Sequence, residues 1–90
     1  MQRREVFFSG HVQGVGFRYR TQSLAVKYPV EGYVRNLPDG RVQLEVQGAA
    51  EDLDRFLAAL ERQMAEFIRE SRVESLPLAG DLAGRFEIRF

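Results

Sequence analysis

The sequence predicts an α+β fold in which two helices cover one face of an antiparallel sheet. Three observations carry that prediction. The chain has 90 residues, enough for one hydrophobic core and no second one. Its apolar residues switch between a period of two and a period near 3.6, in the order strand, helix, strand, strand, helix, strand, with a short terminal strand. The middle two strands are joined by Pro38-Asp39-Gly40, in which proline presets φ and glycine accepts a positive φ.

The first strand is expected from Glu5 to Val12, with Val6, Phe8, Gly10 and Val12 on one face. A helix follows from about Tyr19 to Tyr28, where Thr21, Leu24, Ala25 and Tyr28 share a face with Phe17. Pro29 ends it, because proline disfavours helical geometry in the residue before it. Val30 to Asn36 forms the second strand. The third, Arg41 to Gln47, alternates most cleanly: Val42, Leu44 and Val46 face inward, while Arg41, Gln43, Glu45 and Gln47 face water. Gly48 closes it. The second helix starts near Ala50 and carries Leu53, Phe56, Leu57, Leu60 and Met64 on one stripe, which Phe67 and Ile68 would prolong. A fourth strand is expected around Val73 to Leu76. In a last one, Phe86, Ile88 and Phe90 alternate with Arg85, Glu87 and Arg89. The order is that of a ferredoxin-like βαββαβ sandwich with a short C-terminal strand, each crossover being right-handed. It makes residues 1–90 a single domain and brings the first loop to the end of the sheet beside the second strand. The fold alone assigns no function.

Composition narrows the field. With 44% hydrophobic residues there is material for a core, and with no cysteine there is no disulfide, thiol nucleophile or thiolate metal site. Thirteen basic and thirteen acidic side chains cancel, which argues against nucleic-acid or anionic-membrane binding through a broad positive field. No apolar run reaches the roughly 18 residues a membrane span needs. Met1-Gln2-Arg3-Arg4 is basic, but the apolar stretch behind it is too short for a signal peptide, so a cytoplasmic location is expected.

The chemistry concentrates in Ser9-Gly10-His11-Val12-Gln13-Gly14-Val15-Gly16-Phe17-Arg18, where three glycines fall within seven residues between a strand and a helix. A loop of this kind lets backbone N–H groups converge on an anion, helped by the helix dipole. Arg18 adds a planar, permanently charged fork suited to phosphate oxygens. The segment reads as a phosphate cradle. It is neither a P-loop, since no Gly-Lys-Ser/Thr follows, nor a dinucleotide fingerprint, since Gly10, Gly14 and Gly16 have the wrong spacing.

A second segment sharpens the reading: Gly32-Tyr33-Val34-Arg35-Asn36-Leu37-Pro38-Asp39-Gly40-Arg41-Val42. Together the two resemble the acylphosphatase family, whose G-x-V-Q-G-V-G-F-R and G-x-V-x-N-x-x-D-G-x-V patterns match Gly10 to Arg18 and Gly32 to Val42. The resemblance implies hydrolysis of small acyl phosphates to carboxylate and inorganic phosphate, with no metal and no cofactor. The family's arginine and asparagine fall on Arg18 and Asn36. Backbone amides along Gln13, Gly14, Val15, Gly16, Phe17 and Arg18 are expected to surround the phosphoryl oxygens, and Asn36 to hold the attacking water. A monomer without nucleic-acid or membrane partners is expected. The segment from Gln63 to Leu78 departs from the commoner family pattern, having no glycine or proline between Glu66 and Arg72.

Each site residue has a simpler competitor. An arginine opening a helix is ordinarily solvated, and an asparagine before Pro-Asp-Gly is ordinarily a turn former. Asp39 is explained by the turn. His11 shares strand parity with Phe7 and Ser9, opposite the core, and is not assigned a catalytic role. Arg35, Arg41, Arg85 and Arg89 read as a solvated sheet face. The rival function is a non-catalytic anion-binding or regulatory module of the same fold, which would have no evident need for Asn36. RNA binding on the open sheet wants aromatic platforms on the central strands, where only Phe7 and Tyr33 are candidates.

Overall fold

Seven elements follow one another along the chain: β1 (Gln2–Gly10), α1 (Phe17–Ala25), β2 (Glu31–Asn36), β3 (Val42–Gly48), α2 (Ala50–Gln63), β4 (Ile68–Leu76) and β5 (Phe86–Arg89). This computed structural model describes residues 1–78, 80 and 84–90. The five strands form one sheet in the order β4-β1-β3-β2-β5. The first four pair antiparallel, with Val6 opposite both Leu44 and Val73, and Val34 opposite Leu44. β5 is different: it pairs parallel to β2, with Ile88 opposite Val34. The sheet is therefore mixed at one edge rather than antiparallel throughout. The reason is directional. β4 finishes at the end of the sheet where β2 begins, since Leu76 lies opposite Arg3 and Glu31 opposite Gln47. β5 starts from that same end, beside Gly32, and so runs along β2.

The period-two residues Val6, Phe8, Val34, Val42, Leu44 and Val46 turn toward the helices and are fully buried. They meet Phe17, Leu24 and Ala25 of α1 and Leu53, Phe56, Leu57 and Leu60 of α2 in one core. Each such side chain contributes about 1.5–3 kcal/mol by leaving water. Rings lock the layers, Phe56 lying 5.9 Å from Tyr28 and 6.0 Å from Phe86 between centroids. No helix of the described residues is long and apolar enough to cross a membrane.

Several boundaries differ from the sequence expectation. β1 ends at Gly10 with a bulge between Ser9 and Gly10, so Val12 reaches the core from a loop. α1 begins at Phe17 and stops at Ala25, leaving Tyr28 outside the helix. α2 stops at Gln63, and Phe67 and Ile68 do not prolong it. Instead the Met64 carbonyl accepts from the amides of both Phe67 and Ile68, at 2.9 and 3.2 Å, which reverses the chain without glycine or proline. β4 consequently starts at Ile68, five residues before Val73.

The outer face of β3 is not wet. Gln43, Glu45 and Gln47 are 7%, 7% and 5% exposed. Long side chains on neighbouring strands cover them: Arg3 pairs with Glu45, Arg35 Nε donates to Gln43 Oε1 at 2.6 Å, and Gln47 Nε2 donates to Glu31 Oε1 at 2.9 Å. Gln43 Nε2 in turn donates to Glu5 at 2.7 Å. Burial, then the hydrogen bond to Glu45, raises the Tyr33 phenol above its ordinary value.

Candidate active site

The loop between β1 and α1 is shaped by two left-handed glycines, Gly14 with φ 78° and Gly16 with φ 79°. A side chain at either position would be strained by backbone geometry alone. Gly16 is also the N-cap of α1, and it offers no side chain to satisfy the first helical amides. Among the described residues, no backbone N–H from 13 to 19 donates to a protein acceptor. The loop thus presents a run of unanswered donors at the positive end of a helix dipole.

Arg18 stands in the first turn of α1, which places it two residues after the left-handed Gly16. Its Nη1 donates to the Arg89 carbonyl at 3.4 Å, and its guanidinium carbon lies 4.8 Å from the Phe90 ring centroid. The fork is held from one side and keeps further N–H groups for a ligand. Asn36 is the last residue of β2, opposite Val42. Its Oδ1 is buried and has no hydrogen-bond partner among the described residues. Buried acceptors ordinarily have a partner, and a water or ligand group in the adjoining pocket would supply one here.

Gly14, Gly16, Phe17, Arg18 and Asn36 line one pocket of about 130 Å³. The structure thus brings the glycine loop, the arginine and the asparagine together. Gln13 and Val15 do not line it. Gln13 Nε2 turns away and donates to the carbonyls of Leu37 and Arg41, at 2.8 and 3.0 Å, while Val15 packs on the core. Asp39 is occupied by the turn: its carboxylate accepts from the Arg41 amide at 3.0 Å and from Arg41 Nε at 2.8 Å. The backbone hydrogen bond, with the guanidinium behind it, holds the Asp39 carboxyl below the usual range. His11 is exposed, its amide donating to the Phe67 carbonyl at 2.9 Å. Groups of three or more His, Cys, Asp or Glu placed to hold a metal are absent among the described residues.

Three features escaped the sequence reading. The Gln13 side chain braces the loop, Tyr19 lines the pocket, and Phe90 turns onto Arg18 instead of continuing the inward alternation of Phe86 and Ile88. Adjacency to Arg18 was a signal for Tyr19. For Phe90, at the far end of the chain, no local signal existed.

The family model described as Acylphosphatase matches residues 4–88. The chain belongs to the acylphosphatase family. It is 40% identical over 91 residues to an acylphosphatase of Oceanobacillus iheyensis, covering all of both chains. To an acylphosphatase of Archaeoglobus fulgidus it is 52% identical over 56 residues, 62% of this chain and 63% of the relative. Among solved structures, acylphosphatase from Bacillus subtilis superposes with a TM-score of 0.87 at 29% identity, covering both chains completely. The acylphosphatase match contains Arg18 and Asn36 and stops short of Arg89 and Phe90.

Proposed function

We propose that this acid-anhydride hydrolase cleaves the carboxyl–phosphate bond of small acyl phosphates by attack of a water oriented by Asn36. The observation that carries this reading is the buried Asn36 Oδ1, without a hydrogen-bond partner among the described residues, on a residue that lines the same pocket as Arg18 and the glycine loop. An acceptor in that position suits a water molecule, which donates to it and turns a lone pair toward phosphorus.

Phosphoryl transfer passes through a loose transition state, so catalysis is mostly positioning and charge stabilisation. The amides of the pocket-lining residues Gly14, Gly16, Phe17 and Arg18, with the Arg18 fork, receive the phosphoryl oxygens at the start of α1. The water oxygen bonds to phosphorus as the acyl oxygen leaves with the bonding pair. That leaving group is a carboxylate whose conjugate acid has a pKa of about 4, so it departs without a general acid. The water's proton passes to a phosphoryl oxygen, and the products are a carboxylate and inorganic phosphate. Asparagine does not titrate near neutral pH, so the task of Asn36 is orientation.

Phosphate release from acetyl phosphate and benzoyl phosphate, against a phosphomonoester control, tests the reading. Selective hydrolysis of the two anhydrides is expected. Equal action on the monoester, whose alkoxide leaves far less readily, would sink the role given to the leaving group.

A further inference from the structure

β4 is the long open edge of the sheet. Its nine residues, Ile68–Leu76, lie outermost beside β1, whereas the other edge, β5, has four. The ladder fixes which backbone groups of β4 face outward. The Leu37 amide donates to the Arg41 carbonyl, so by alternation Gln43 and Glu45 bond to β2, and Val42, Leu44 and Val46 to β1. Carried through the registers, Val6 and Phe8 bond to β3, while Glu5 and Phe7 bond to β4 through Glu74 and Arg72. The N–H and C=O of Ser71, Val73 and Ser75 therefore point away from β1, where no further strand of the described residues lies. Edges of natural sheets are commonly blunted by lysine, proline or short length. β4 has neither lysine nor proline, and Val73 is 51% exposed at its middle.

We propose that β4 pairs antiparallel with β4 of a second copy of this chain, about a two-fold axis at Val73, so that one sheet runs through a homodimer. The charges select this register. With Val73 opposite the partner's Val73, Ser71 falls opposite Ser75, and Arg72 opposite Glu74 on both sides of the axis. Arg72 and Glu74 lie on the sheet face away from the helices, since they stand opposite Phe7 and Glu5, while Val73 stands opposite the buried Val6. Within one chain Glu74 thus faces Glu5, a like-charge pair that the partner's Arg72 offsets. The neighbouring two-fold registers are worse. An axis at Arg72 sets Glu70 opposite Glu74, and one at Ser71 sets Val73 opposite Arg69. The dimer differs from the monomer expected from the sequence. It uses no residue of the pocket that holds Arg18 and Asn36, so it stands apart from the hydrolytic reading.

Sedimentation equilibrium between about 1 and 500 µM tests the pairing, since two joined edges make a small interface and a concentration-dependent dimer. The wild type is expected to pass from the chain mass to twice that mass across the range. Arg72→Glu sets like charges opposite each other in both pairs, and Val73→Lys puts a charge at the axis. Each should weaken association about ten-fold or more. The double exchange Arg72→Glu/Glu74→Arg re-forms both ion pairs and should return the dissociation constant to within a few-fold of wild type. All three positions are exposed, so the variants are expected to fold, and thermal midpoints check this. A wild type that keeps the chain mass at the highest concentration overturns the proposal. So does a dimer that Arg72→Glu leaves unweakened, or a weakening that the double exchange does not reverse.

Discussion

Gln13 donates its side-chain amide to the Leu37 carbonyl at 2.8 Å, fastening the glycine loop to the hairpin between β2 and β3. The same Nε2 reaches the Arg41 carbonyl at 3.0 Å, on the other side of the turn. Leu37 and Arg41 are themselves joined, the Leu37 amide donating to the Arg41 carbonyl at 2.8 Å. One side chain therefore sets the distance between the amides of the loop and Asn36, one residue before Leu37. Gln13→Ala removes both bonds and is expected to cost about 1–3 kcal/mol of stability. It should also lower kcat/KM more than ten-fold, since small displacements of positioned groups are costly to rate. Thermal midpoint and steady-state kinetics on one preparation check this. A less stable variant with wild-type kinetics would show that the two segments hold their spacing without Gln13.

Arg18→Lys tests the geometry of the charge. Lysine keeps the cation but loses the planar fork, and it cannot stack on Phe90 in the same way. A loss of about 10²–10³ in kcat/KM is expected, in line with removal of one preorganised donor. Phosphate inhibition should weaken in parallel. If a folded Arg18→Ala variant retains near-wild-type efficiency, the phosphoryl group binds elsewhere.

The turn beneath the site carries a pH dependence. Arg41 holds the Asp39 carboxyl below its ordinary value, so ionised Asp39 binds its partners better in the folded chain. The sign follows: this contribution is complete above the unfolded value and is lost as pH falls through the lower folded one. Asp39→Ala should therefore be less stable than wild type at pH 7, with the gap narrowing as pH drops below about 4. Urea midpoints at pH 7, 5 and 3 measure it. A gap that stays constant with pH would mean that the side chain acts without its charge.

How much of this was legible beforehand follows from the range of each interaction. The core faces of β1, β3 and α2 were readable because Val6 and Phe8, Val42 to Val46, and Leu53 to Leu60 repeat at the period of the element that buries them. Arg18 and Asn36 were readable because each sits in a dense local pattern. The end of α2 was not. Phe67 and Ile68 fit a helical stripe, yet the Phe67 carbonyl is taken by the His11 amide and Ile68 opens β4 opposite Gly10. Those partners lie more than fifty residues away, and no window of sequence contains both. The buried outer face of β3 was misread for a related reason. Alternation distinguishes polar from apolar positions, but Glu45 and Gln43 are covered by Arg3 and Arg35 from strands on either side.

Metal independence is expected from the donors available. The chain has one histidine and no cysteine, and that histidine, His11, shares no metal-binding group with carboxylates among the described residues. Exhaustive treatment with EDTA should leave the rate with acetyl phosphate unchanged. Loss of activity that a divalent ion restores would replace the proposed mechanism with a metal-assisted one.

Asn36 separates binding, chemistry and stability most sharply. Its Oδ1 is buried, it has no hydrogen-bond partner among the described residues, and Asn36 lines the pocket with Arg18. Asn36→Ala removes no side-chain hydrogen bond to a described residue. The thermal midpoint should therefore change little, while turnover falls about 10²-fold or more, comparable to loss of one positioned polar group in a transition state. Phosphate inhibition should change little, since the cradle amides and Arg18 remain, and the loss should appear in kcat. A turn-forming role predicts the opposite pattern: a lower thermal midpoint with normal turnover in the folded fraction. Thermal midpoint, phosphate inhibition constant and kcat of Asn36→Ala distinguish the two. The second pattern would leave Arg18 without a partner to place the attacking water.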